Sequence, residues 1–188
     1  AQGLITSKFD LERLNQSFDG ETFKFEKGTA DLRLFCQADI DNFLFTKPII
    51  HGKIAIKSAN ITYLPRNLKL VNSSLDLNFN QKDLNITNSR FQLGRSILNM
   101  DCAIANFLNF YYTDPEKIEI NVNLNSPNLY LNEFRPFLAP RQSKRKTTST
   151  KNALKEASEQ LSTALEESKV HLKLKVNRAV YNKFIARN

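Results

Sequence analysis

The sequence predicts a mainly β protein: a curved antiparallel sheet, meandering from strand to strand as a partial groove or half-barrel, with one or two short peripheral helices. Three observations carry this. Apolar and polar residues alternate with period two along most of the chain. The alternating runs recur about every ten residues, separated by Asn, Asp, Ser, Gly or Pro. Helical spacing of apolar residues is confined to two short stretches.

The series includes Ile54-Ala55-Ile56-Lys57, Asn60-Ile61-Thr62-Tyr63-Leu64, Leu68-Lys69-Leu70 and Ser74-Leu75-Asp76-Leu77-Asn78-Phe79. It continues with Asp83-Leu84-Asn85-Ile86, Arg90-Phe91-Gln92-Leu93 and Ile118-Glu119-Ile120-Asn121-Val122-Asn123-Leu124. Successive side chains of a strand point to opposite faces, so each run builds one apolar and one polar face. Leu64-Pro65-Arg66-Asn67-Leu68, Asn72-Ser73-Ser74 and Asn80-Gln81-Lys82-Asp83 read as turns between strands. The apolar face is assigned Ile54, Ile56, Ile61, Tyr63, Leu75, Leu77, Phe79, Leu84, Ile86, Phe91 and Leu93. For any one of these residues, ordinary core packing is the first reading.

Phe9 to Leu14 is a candidate short helix. A longer one is expected from Asn152, its N-cap, to about Ser168, because Leu154, Ala157, Leu161, Ala164 and Leu165 form one narrow stripe. Before it lies Pro140 to Lys151, without an apolar or acidic residue. Such a run reads as a solvated loop. Its Arg141, Lys144, Arg145 and Lys146 are the candidates for contact with an anionic surface. The expected organisation is a sheet region 1–139, a basic loop 140–151, an amphipathic helix 152–169 and strands of a following unit at 170–188. Leu172, Leu174, Lys175 and Tyr181 echo Ile54, Ile56, Lys57 and Tyr63, a weak internal repeat.

The 188 residues suffice for one sizeable domain, and 41% hydrophobic content argues against disorder throughout. The chain opens Ala1-Gln2-Gly3 without an initiator Met, which predicts a segment of a longer chain. No apolar run approaches the roughly 18 residues of a membrane-spanning helix. The net charge of +8 suits anionic partners, although most of the Lys alternates with apolar residues as a solvated strand face would. Cys36 and Cys102 lie in apolar runs and read as two buried free thiols; a disulfide is the alternative.

Catalytic chemistry finds little footing. His51 and His171 stand in no recognisable motif, and neither has a nucleophile at a known spacing. Asp39-Ile40-Asp41 lacks further carboxylates and reads as turn chemistry rather than a metal site. There is no glycine-rich phosphate loop. The expectation is a non-enzymatic protein without cofactor. Nucleic acid is not an expected partner: Phe79 and Phe91 run in phase with Leu and Ile as core does, which leaves a basic RNA-binding sheet as a remote alternative.

Gly52-Lys53-Ile54-Ala55-Ile56 through Ile61-Thr62-Tyr63 resembles the G-x-I-x-I-x-x-x-x-I-x-Y strand pair of the AsmA family. Leu75 to Phe79, Leu84 to Ile86 and Ser89 to Gly94 are similar to the strands that follow it there. Met100 to Phe110 resembles a later family segment, with Cys102 or Ala103 where a glycine is expected. Ile118 to Leu124 and Ser126 to Leu138 resemble its closing pattern, which precedes a variable polar insertion and a next repeat. The resemblance implies a curved sheet whose concave apolar face carries phospholipid acyl chains, related in architecture to TamB and bridge-like lipid transfer proteins. It also implies a periplasmic location, with the parent chain anchored in the inner membrane of a Gram-negative bacterium. Outer-membrane homeostasis, or assistance to outer-membrane proteins or their assembly machinery without lipid conduction, are the roles it suggests.

Overall fold

The computed structural model describes residues 1–16, 23–41, 44–110, 117–135 and 168–187. These form β1 (Gln2–Asp10), β2 (Phe23–Asp41), β3 (Leu44–Tyr63), β4 (Leu68–Gln81), β5 (Asp83–Leu93) and β6 (Ser96–Ala105). Then come β7 (Glu119–Ser126), β8 (Leu129–Tyr130), β9 (Lys169–Val176), β10 (Arg178–Tyr181) and β11 (Phe184–Arg187). Eight strands make one open sheet in the order β1-β2-β3-β4-β5-β6-β7-β9, and β11-β10-β8 make a small second one. The protein is mainly β, as the alternation predicts.

Neighbours from β1 to β7 are antiparallel, and β4 turns into β5 through the short reversal Gln81-Lys82-Asp83, where Gln81 has φ +59. The meander then breaks. β9 pairs with β7 in parallel, Glu119 opposite Lys169 through Ser126 opposite Val176. A parallel neighbour needs a long return connection, and the chain between Tyr130 and Lys169 provides one. Residues 170–188, expected as strands of a following unit, hold β9 to β11, with β9 joining the main sheet.

Several strands are longer than the sequence suggests, because residues that look like turns are bulges. Asn72-Ser73-Ser74 is not a turn: it lies inside β4. Asn72 takes φ +48, which Asn tolerates, and the ladder slips there instead of reversing. Ser58 in β3 (φ +52) and Asn88 in β5 (φ +50) do the same. In β2 the matching residue is Gly28 at φ +120, where a Cβ would lie 2.7 Å from the Cα of Ala59. Four adjacent strands therefore carry a left-handed residue along one line.

Each bulge adds one residue, so the apolar set changes parity across it. Ile54 and Ile56 are followed on the same face by Ile61 and Tyr63; Leu68 and Leu70 by Leu75 and Leu77; Ile86 by Phe91 and Leu93. The step across each break is five residues, an odd number that an unbroken strand could not make without turning its apolar side chains over. The register pairs the two ends of these steps with each other: Ala30 with Ile56 and Phe25 with Ile61, then Ile56 with Leu75 and Ile61 with Leu70. Across β7/β8 and β9/β10 the same step recurs, Leu124 with Leu174 and Leu129 with Ala179.

Small side chains fill the line of bulges. Ala59 and Ser73 are fully buried and Ser89 nearly so. The Ser73 hydroxyl donates to the Val71 carbonyl, the Ser89 hydroxyl to that of Met100 and the Ser126 hydroxyl to that of Ile97. Groups that a disrupted ladder leaves unpaired are satisfied in this way.

The segment Leu11–Gln16 caps one end of the sheet. It is a 3-10 turn rather than the expected helix from Phe9, whose first two residues complete β1. Asn15 holds it tight: its Nδ2 donates to the Phe25 carbonyl at 2.6 Å and its Oδ1 accepts from the Phe25 amide at 2.8 Å. Leu11 is thereby driven against Ala30 and Ala59. The basic loop, with Arg141, Lys144, Arg145 and Lys146, and the expected helix up to 167 lie outside the described residues. Among the described residues no helix is long and apolar enough to cross a membrane.

Candidate apolar binding face

Two rows of mostly apolar residues run across the sheet, one with a gap at Gly52 and the other starting at β2. One row is Ile5, Leu34, Gly52, Phe79, Leu84, Ile104, Ile120 and Val170, each opposite the next on the neighbouring strand. The adjacent row is Leu32, Ile54, Leu77, Ile86, Cys102, Val122 and Leu172. At about 4.8 Å per strand, seven strands make a row about 29 Å long. The remaining candidates, Ile56, Ile61, Tyr63, Leu75, Phe91 and Leu93, lie on the same face on either side of the bulge line.

Cover over the face is uneven. In its middle, Leu84, Ile104 and Ile120 are at most 8% exposed, packed with Ile118, Phe107 and their neighbours. The Phe107 ring meets Phe79 edge-on at 6.1 Å between centroids. This region is core. At the margins the same rows open: Ile5 is 51%, Val170 53% and Leu172 61% exposed. Ile54, Leu75, Leu77 and Ile86 are half-buried.

One end of the face forms an open cleft of about 440 Å³. Ala1 to Gly3, Cys36 to Ala38, Pro48 to Ile50 and Leu108 line it. The size falls within the range of small-molecule sites. Cys36 and Ile50 are paired across β2 and β3 and belong to the apolar parity of those strands. The cleft therefore continues the face. Cys36, Ile50 and Leu108 were not among the residues expected on the face. The signal for the first two was their even-numbered phase with Leu34 and Ile54; Leu108 enters from the Phe107–Phe110 turn and had no periodic signature.

The opposite face is polar and ion-paired. Lys53 bonds Asp76 at 2.8 Å, and Lys69 bonds Glu26 at 2.8 Å. A hydrogen bond from Asn88, then that from Lys53, holds the Asp76 carboxyl below the usual range.

No protein-family model, curated protein or solved structure matches the chain.

The resemblance to the AsmA family therefore rests on the strand pattern. His51 and His171 are in β3 and β9, Asp39 and Asp41 close β2, and Cys36 and Cys102 are both free thiols. Among the described residues no three His, Cys, Asp or Glu side chains converge as a metal site.

Proposed function

We propose that this chain is a non-enzymatic β-groove segment of AsmA type that holds phospholipid acyl chains along its apolar face, in the periplasm. The observation that carries this reading is an apolar face that spans the sheet, buried in its middle and open at its margins and at the 440 Å³ cleft. Each methylene moved from water onto such a surface gains about 0.8 kcal/mol. A chain of many methylenes is then retained without a polar contact where the face is open, at its margins and at the cleft. The polar, ion-paired face would remain in water. In the envelope, such a surface serves lipid movement or outer-membrane homeostasis.

The test is the lipid content of the protein purified from native membranes. Phospholipid at a fixed molar ratio supports the proposal, provided Ile50→Asp in the cleft lowers it and Asn121→Asp on the polar face does not. Protein that carries no lipid under these conditions, or whose lipid is indifferent to Ile50→Asp, would contradict it.

A further inference from the structure

We propose that Arg95 and Arg178, held on either side of Tyr130 and joined by Arg187, form a binding site for a phosphate group. The site lies on the polar side of the strands, so it does not depend on whether acyl chains occupy the apolar face.

Strand parity brings these groups together. Leu129 pairs with Ala179 on the apolar side of β8 and β10. Tyr130, opposite Val180, and Arg178, two residues before Val180, therefore project from the polar side. Tyr130 recruits a second cation from the turn between β5 and β6: the Arg95 guanidinium lies over its ring, 4.1 Å from the centroid. The Tyr130 hydroxyl accepts from Arg178 Nη1 at 3.4 Å. One phenol thus touches two guanidinium groups. Arg187 stands directly opposite Arg178 in the antiparallel β10–β11 pair and shares its side.

Charge balance then points to an anion. Like charges directly opposite each other on a sheet repel, and Arg178 opposite Arg187 is such a pair. Glu133 contacts this group, but its oxygens already accept from the Ser96 hydroxyl and from the Ser96 and Arg95 amides. Its contact with Arg95 Nε is long, at 3.4 Å. Among the described residues neither Arg178 nor Arg187 has a carboxylate partner. Lys173 and Lys175, on the same side of β9, face only Asn123 and Asn125 on β7 and make the local potential more positive.

Geometry selects phosphate among anions. A guanidinium presents planar N–H forks that match phosphate oxygens in pairs. Arg178 spends one donor on Tyr130 and Arg95 spends one on Glu133, which leaves donors of both forks for a ligand. The Arg95 side chain is 73% exposed, so the site is open to solvent. Its frame is set beforehand. Asn132 Nδ2 donates to Asn182 Oδ1 at 2.9 Å and ties the β10–β11 turn to the segment that carries Glu133. The Arg95 amide is fixed on Glu133 at 2.8 Å.

The arginine Nε–H resonances of the whole chain, followed by NMR, test this. The probes are inorganic phosphate and dihexanoyl phosphatidylglycerol below its micelle-forming concentration, each compared with sodium chloride at matched ionic strength. The Arg95 and Arg178 signals should shift and saturate at roughly millimolar probe, and chloride should not reproduce the shifts. Saturation by the lipid alone, or at a concentration about tenfold lower than phosphate, assigns the group to a lipid headgroup. Saturation by phosphate at an equal or lower concentration assigns it to a free phosphate. Arg95→Gln keeps the amide bond to Glu133, and it and Arg178→Gln should each weaken binding about tenfold. Lys57→Gln removes the same charge from an exposed position elsewhere and should leave binding unchanged. The proposal is overturned if neither probe gives saturable shifts beyond those of chloride, or if Lys57→Gln weakens binding as much as Arg95→Gln.

Discussion

Glu133 clamps the chain after β8 to the start of β6 through Ser96. Its carboxylate accepts the Ser96 hydroxyl at 2.6 Å and the Ser96 amide at 3.1 Å. The Arg95 amide adds a third bond at 2.8 Å, and Arg95 also stacks over the Tyr130 ring at 4.1 Å. Burial pushes the Glu133 carboxyl up, but the hydrogen bonds from Ser96 and Arg95 outweigh it and leave the group below its ordinary value of 4.5. A carboxyl lowered by folding stabilises the fold fully above its unfolded value, and that contribution is lost as pH falls through the folded one. Glu133→Gln should cost about 2 kcal/mol at neutral pH. Its stability should also fall less steeply below pH 4.5 than that of the unsubstituted protein, as read by denaturant titration across pH.

At Gly52 the backbone of β2 leaves no room for a side chain. A Cβ there would lie 2.1 Å from the Arg33 carbonyl oxygen and 3.0 Å from the Leu34 Cα, both backbone, at a φ of +131. Gly52→Ala should destabilise by about 3 kcal/mol or more. Gly3→Ala, with nothing within 4 Å, is the control and should leave the thermal midpoint unchanged.

The bulge line makes a prediction with opposite signs at one position. Ser58 holds φ +52 and is solvent-exposed. Ser58→Gly relieves the left-handed conformation and should be neutral or mildly stabilising, while Ser58→Val should cost about 1–2 kcal/mol. Equilibrium unfolding of the two variants reads the difference. Equal effects would mean that the bulge is not held by this conformation.

The two thiols should differ in reactivity. Burial pushes the Cys102 thiol up to about 11. At pH 8 only about one molecule in a thousand then carries the thiolate. Cys36, at the rim of the cleft, is the more accessible. Alkylation at pH 8 followed by mass spectrometry should label Cys36 first and Cys102 only after denaturant is added.

Fold class and face were legible in the sequence because alternation survives locally. Leu75-Asp76-Leu77-Asn78-Phe79 gives its face without help from any other strand. Strand length was not legible, because Asn72-Ser73 and Asn88-Ser89 have the composition of turns. The odd step of five, as from Leu70 to Leu75 or Ile86 to Phe91, was the available sign that the chain bulges and keeps its face. The parallel docking of β9 had no local sign: Val170 to Val176 alternates identically whichever way its neighbour runs. The cleft was hidden for a related reason, since Leu108 joins Cys36 and Ile50 in its lining only once the sheet has formed.

In the proposed groove, acyl chains lie on the apolar face and not on the polar one. A photoreactive phenylalanine analogue at Leu75 or Leu172, compared with one at Asn78 or Asn121, measures this directly in membranes containing native phospholipid. Crosslinks to lipid are expected from Leu75 and Leu172 and none from Asn78 or Asn121. Equal labelling from both faces, or labelling from neither, would contradict it.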